Sequence, residues 1–132
     1  MPDTVLMFVN GQAMSGGELG DALAGARFLG PVRTAPDYRF FSFGDVFPGL
    51  VPAGRGAGRP VPGELYEVGY ADLRERLLPR EPAELELSVI RLEDGRGSLS
   101  MVCRDGVLGG EGVHEITAEG GWREHLATAA RS

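Results

Sequence analysis

Phe8-Val9-Asn10-Gly11-Gln12-Ala13-Met14 continues an apolar run that begins at Val5. An apolar run of this length, ended by Asn-Gly, reads as a buried strand that stops at a turn. Gly11 is read as supplying the dihedrals of that turn without a Cβ clash. Such a turn can aim successive backbone N–H groups into one small space, where they suit a substrate carboxylate or a developing oxyanion. The same residues also fit a plain strand-ending turn, so the motif by itself does not choose between the two.

Working outward, residues 18–26 carry Leu19, Ala22 and Leu23 at helical spacing and predict a short helix. Residues 27–32 predict an irregular strand interrupted by Gly30-Pro31, and 34–37 a turn. The aromatic stretch 38–43 predicts a strand. Residues 44–60 show no regular pattern; a loop that long is functional or disordered, with its first half expected to be ordered and residues 53–60 mobile. Residues 61–68 predict a strand whose period of two puts Glu64, Tyr66 and Val68 on one face. A short helix over 71–78 is bounded by Pro79. Residues 85–92 and 98–104 predict a hairpin across Glu93-Asp94-Gly95-Arg96-Gly97, with Leu85, Leu87 and Val89 sharing a face. The chain closes with a helix over 119–130 that packs through Trp122, Leu126 and Ala129. This order fits an α+β fold with a mixed sheet curling toward a barrel, its bends eased by glycine.

At 132 residues the chain has the length of a single domain, 1–132. Its net charge of −6, with no lysine, argues against a nucleic-acid partner, which needs a basic face. No stretch reaches membrane-spanning length, and the N-terminal residues lack a signal-peptide pattern. The single cysteine, Cys103, excludes an intramolecular disulfide and points to a reducing, cytoplasmic setting. The 21 glycines and 9 prolines fall between apolar runs, where they punctuate short strands. A small-molecule substrate is the expected partner, without membrane or cofactor; a homodimer is left open.

The common nucleophiles are weak here. Ser15 lacks a G-x-S-x-G elbow. Cys103, in an apolar strand, reads as a small core residue. His114 and His125 read as surface residues, and with no Cys or carboxylate ligand pattern beside them no metal site is expected. Carboxylates remain, clustered in Glu81-Pro82-Ala83-Glu84-Leu85-Glu86. One of them, desolvated at the mouth of a sheet, would have its pKa raised and serve as a general acid and base. Spacing alone does not choose among Glu81, Glu84 and Glu86.

The loop 8–14 resembles that of the γ-glutamylcyclotransferase-like, or AIG2-like, superfamily. It is followed in order by 27–39, by Phe47-Pro48-Gly49-Leu50 and by 61–68 at similar intervals, and the stretch 84–95 resembles the C-terminal domain of allophanate hydrolase, a branch of the same superfamily. The resemblance covers about residues 4–104. It implies a small mixed β-barrel flanked by short helices. It also implies a substrate loop made by Asn10, Gly11, Gln12 and Ala13, joined in the binding set by Met14, Tyr38, Pro48, Gly49 and Leu50. The superfamily's acid/base glutamate matches Glu81 best, with Glu84 as the alternative.

Two departures stand out. Asn10 replaces the family's loop tyrosine and Gln12 its small polar residue, and Leu78 stands where the cyclotransferase motif carries aspartate. The resemblance implies three functions: cyclisation of a γ-glutamyl amine to 5-oxoproline, decomposition of a small N-carboxylated metabolite as in the allophanate hydrolase branch, or a non-catalytic binding module. Fold alone does not decide among them.

Overall fold

The computed structural model describes residues 3–11, 14 and 20–130. The expected strand at the start of the chain is β1 (Thr4–Val9), whose Met7, Phe8 and Val9 are buried. It pairs antiparallel with β5 (Pro62–Gly69), and β5 pairs antiparallel with β2 (Arg27–Arg33). The irregularity expected in β2 is a bulge between Phe28 and Gly30, where Gly30 takes a φ of 119°. Residue types suited to a left-handed backbone are few, and glycine is the least strained of them.

β3 (Tyr38–Phe43) pairs with β4 (Phe47–Pro52), and β6 (Leu85–Arg91) with β7 (Gly97–Cys103), both antiparallel. A last short strand, β8 (Val113–Glu115), adds to the outer side of β3. The strands form one sheet in the order β2-β5-β1-β7-β4-β3-β8, with β6 on β7. The barrel-like mixed sheet expected from sequence is thus present as a curled half-barrel.

β4 falls inside the stretch that sequence reads as a loop. Pro48 and Pro52 mask it, because proline lacks the N–H of a strand ladder. Both share the parity of Leu50, and β4 meets β7 at the single bridge Leu50–Val102. The missing donors therefore fall on the side where little pairing exists to lose. Residues 53–60, expected to be mobile, are tied down. Ala53 N–H donates to Asp37 O, Gly58 N–H to Pro36 O, Arg59 N–H to Tyr38 O and Gly56 N–H to the Asp37 carboxylate. Gly58 lies so close to the Tyr38 backbone that no Cβ would fit.

The helical parts are short. Of the helix expected over 18–26, Gly20–Leu23 is a 3-10 turn and residues 15–19, with Ser15, lie outside the described residues. The helix expected before Pro79 is α1 (Tyr70–Asp72), continued by a π turn (Leu73–Leu77) and a 3-10 turn (Leu78–Arg80). Leu73 and Leu77 anchor it in the core. At the other end of the chain, a 3-10 turn (Thr117–Glu119) leads through Gly120, at φ 85°, into α2 (Trp122–Ala130). Trp122 is buried, as expected, and joins the main core with Phe8, Phe40, Leu50 and Leu65. Leu87 and Val89 do share a face of β6, but it is the outward one. No helix among the described residues is long and apolar enough to cross a membrane.

Candidate functional site

β7 has different neighbours along its length. Leu99 bridges to Met7 of β1, and Val102 bridges to Leu50 of β4, both in parallel. Ser100 and Met101 lie between these two bridges, where β1 and β4 part. In sheets with parallel strands, a point where neighbouring strands diverge leaves a crevice that side chains do not fill. A cavity of about 170 Å3 opens there, lined by the end of β1, by Asn10 and Gly11, by Val46, Phe47 and Pro48, by Arg80, Glu81, Pro82 and Leu85, and by Ser100 and Met101.

The turn after β1 forms one wall. Met14 N–H donates to Gly11 O at 3.1 Å, and the Ser100 hydroxyl holds Phe8 O at 3.0 Å. Gly11 is required here for a reason different from the one expected. Its φ lies outside the left-handed region, but a Cβ would stand 2.5 and 2.7 Å from Cδ and Cγ of Pro48. The glycine lets the two walls of the crevice close on each other.

Asn10 is buried, and its Nδ2 has no hydrogen-bond partner among the described residues. A buried donor left unpaired costs about 1–3 kcal/mol. Natural folds rarely accept that cost without a use for the group. Asn10 is also one of the residues that line the cavity.

Glu81 also lines the cavity. The 3-10 turn ends at Glu81, which leaves it in extended conformation, its N–H donating to Leu78 O. Burial pushes its carboxyl from 4.5 up to about 7. Desolvation disfavours the charged form, and the neighbouring cation does not offset it: Arg80 binds both oxygens of Asp21, at 2.8 and 2.9 Å. A carboxyl group that is half ionised near neutrality both gives and takes protons readily.

Of the other residues singled out from sequence, Pro48 lines the cavity and Glu84 does not. Glu84 is exposed and borders an open hollow formed by Phe43, Phe47, Val107 and Val113. Glu86 is exposed and pairs with Arg104. Gly49 packs against Cys103 Sγ, Leu50 and Met14 are core residues, and the buried Tyr38 hydroxyl accepts from the Arg91 N–H away from the cavity. Gln12 and Ala13 lie outside the described residues. Cys103 is a buried core residue, and burial pushes its thiol up to about 11. Ser100 and Met101 were not singled out from sequence, since nothing local marks the two residues that fall between the β1 and β4 bridges.

His125 corrects the sequence expectation. It is buried, not on the surface, because α2 turns it beneath the β3–β4 turn. Its Nδ1 lies 2.7 Å from Glu119 Oε1 and its Nε2 2.6 Å from Asp45 Oδ1. His114 is exposed as expected, with Nε2 3.5 Å from the same Asp45 oxygen.

Comparison with known proteins agrees with the fold. The chain matches the family model of the allophanate hydrolase C-terminal domain over residues 5–127. It is 34% identical to a uropathogenic E. coli-specific protein of known crystal structure, with 94% of this chain and 96% of that one covered and a TM-score of 0.84. It is 25% identical to the S177A form of Kluyveromyces lactis allophanate hydrolase, TM-score 0.84, covering 93% of this chain but 21% of that one. An AIG2-like protein from Mus musculus shares the fold at 22% identity and a TM-score of 0.57, with 79% and 78% of the two chains covered. No protein of curated function matches. With the family model spanning nearly all of its sheet and both walls of the cavity, the chain belongs to the allophanate hydrolase C-terminal domain family.

Proposed function

We propose that this chain is a small acid–base enzyme that decomposes a compact N-carboxylated amide of the urea-derived kind. The observation that carries this reading is that one cavity is lined both by Asn10, whose amide donor is unpartnered among the described residues, and by Glu81, whose carboxyl burial pushes up to about 7. Asn10 Nδ2 donates to a carbonyl or carboxylate oxygen of the substrate. Protonated Glu81 delivers its proton to the nitrogen that carries the carboxylate. The N–C bond breaks, its electron pair stays on nitrogen, carbon dioxide leaves, and solvent returns a proton to Glu81. The apolar lining from Met7, Phe8, Leu85 and Met101 keeps Glu81 poorly hydrated, which holds its pKa where both steps run.

The cavity's size supports a compact substrate. Its volume of about 170 Å3 is below the roughly 300–1,000 Å3 of pockets that take drug-sized ligands. The other reading, cyclisation of a γ-glutamyl amine, draws on the same Glu81, onto which the superfamily's acid/base position maps. It asks the cavity to hold a longer chain.

The two readings separate in one experiment. Purified protein is given a freshly generated N-carboxylated urea derivative, with carbon dioxide and ammonia measured, and in parallel a panel of γ-glutamyl amines, with 5-oxoproline measured. Carbon dioxide release above the spontaneous rate supports the first reading, and 5-oxoproline would replace it with the second. Turnover in neither arm would leave the chain as a binding module.

A further inference from the structure

At the β3–β4 turn, three side chains from separate elements converge. Asp45 comes from that turn, His114 from β8 and His125 from α2, and one ligand atom from each lies within 4.8 Å of the others. We propose that Asp45, His114 and His125 bind one divalent transition-metal ion of the zinc class, with Glu119 orienting His125.

The second carboxylate sets the chemistry. Nδ1 of His125 lies 2.7 Å from Glu119 Oε1, so that with Nδ1–H donating to Glu119 the Nε2 lone pair faces Asp45. In that tautomer Nε2 and the Asp45 oxygen are two acceptors 2.6 Å apart, and a cation, either a proton or a metal ion, joins them. A proton on His125 satisfies that pair alone. It leaves unexplained why a second imidazole, His114, brings its Nε2 to 3.5 Å from the same oxygen. One metal ion accounts for all three.

The distances agree. Zinc–ligand bonds of about 2.0–2.2 Å in a tetrahedron put donor atoms roughly 3.3 Å apart. The His114–Asp45 separation of 3.5 Å is already there, and the His125–Asp45 contact opens by less than about 1 Å to reach it. Asp45 is on an exposed turn and is steered by Ser42, whose hydroxyl donates to Oδ1 at 2.7 Å and accepts the Asp45 N–H. The carboxylate–histidine–metal relay through Glu119 is the outer-sphere arrangement that zinc-bound histidines usually have. Three protein ligands leave a fourth position for water, and half-exposed His114 and Asp45 give the ion a way in. Two imidazoles select a zinc-like ion over magnesium or calcium, which prefer oxygen. Sequence spacing could not reveal the site, because the carboxylate lies 80 residues before His125.

The ion sits next to the cavity wall, since Val46, Phe47 and Pro48 follow Asp45 directly and line the cavity. The proposal does not depend on the enzymatic reading and is tested without any activity assay. Tag-free, chelator-stripped protein is titrated with Zn2+ by calorimetry and with Co2+ by visible absorption. The expected result is one Zn2+ per chain at micromolar or tighter Kd, cobalt d–d bands, and no matching heat from Mg2+. His114→Ala, at an exposed position, is expected to keep the fold by circular dichroism and weaken Zn2+ at least about tenfold; Glu119→Gln, about 10- to 100-fold. Asp45→Asn is the independent third variant. Absence of Zn2+ binding, or an unchanged Kd in both folded His114→Ala and Glu119→Gln, overturns the site.

Discussion

Asn10 and Glu81 face one cavity from two walls that the chain builds separately, one where β1 ends and the other where the 3-10 turn before β6 ends. The relationship rests on β7, which carries β1 at Leu99 and β4 at Val102 and leaves a gap at Ser100 and Met101.

If Glu81 supplies the proton, the rate follows its protonated fraction. Activity is then expected to be full well below pH 7 and to fall as pH rises through about 7, the pKa set by burial. Glu81→Gln should lower kcat by about 100-fold or more and abolish that limb. A pH–rate profile of both proteins checks this; an unchanged limb in the variant assigns the titration to another group.

Glu81 also links stability to pH. Its folded pKa of about 7 lies above its ordinary 4.5, so the unfolded chain loses this proton first as pH rises. Its contribution is most favourable below 4.5, is lost between 4.5 and about 7, and is constant above. Glu81→Gln, which never ionises, should gain on the wild type across that interval, by on the order of 3 kcal/mol at most. Urea unfolding at pH 4 and pH 8, compared between the two proteins, reads the difference; equal gaps at both would contradict it.

Asn10→Leu removes a buried donor that is unpartnered among the described residues and keeps a similar volume. Stability should hold or rise by about 1 kcal/mol, while kcat/KM falls. A gain in thermal midpoint together with a loss of activity marks Asn10 as a binding group; a clear loss of stability would show that its amide serves the fold.

Gly11→Ala places a methyl group within 2.7 Å of the Pro48 ring, which is too stiff to yield. A cost of about 1–3 kcal/mol is expected, together with a displaced cavity wall. Equilibrium denaturation checks the first; a variant as stable as the wild type would mean the two walls are free to part.

Cys103 is expected to be inert. Burial pushes its thiol up to about 11, so at pH 8 almost none is thiolate. Iodoacetamide should label it only after denaturation, as intact mass spectrometry would show.

Much of this protein is local in origin. The apolar run into Asn10, the aromatic run of β3, the alternation of β5 and the Asp94-Gly95 hairpin each carry their own period and turn chemistry, so their strands can be read without neighbours. Trp122 likewise declares the buried face of α2. The sequence therefore determined the strand order along the chain, the α+β class and the two segments from which a site would come. It did not determine β8, three residues long, or β4, whose prolines are tolerated where the ladder beside them is a single bridge.

Only the tertiary structure decided which glutamate matters. Glu81, Glu84 and Glu86 are chemically equivalent in sequence, and their surroundings separate them: one is enclosed by the parting of β1 and β4, and the others stay in water. His125 was decided in the same way, by a carboxylate 80 residues distant. Burial and charge pairing depend on what the sheet brings near, and desolvation is a property of that surrounding, not of the residue itself.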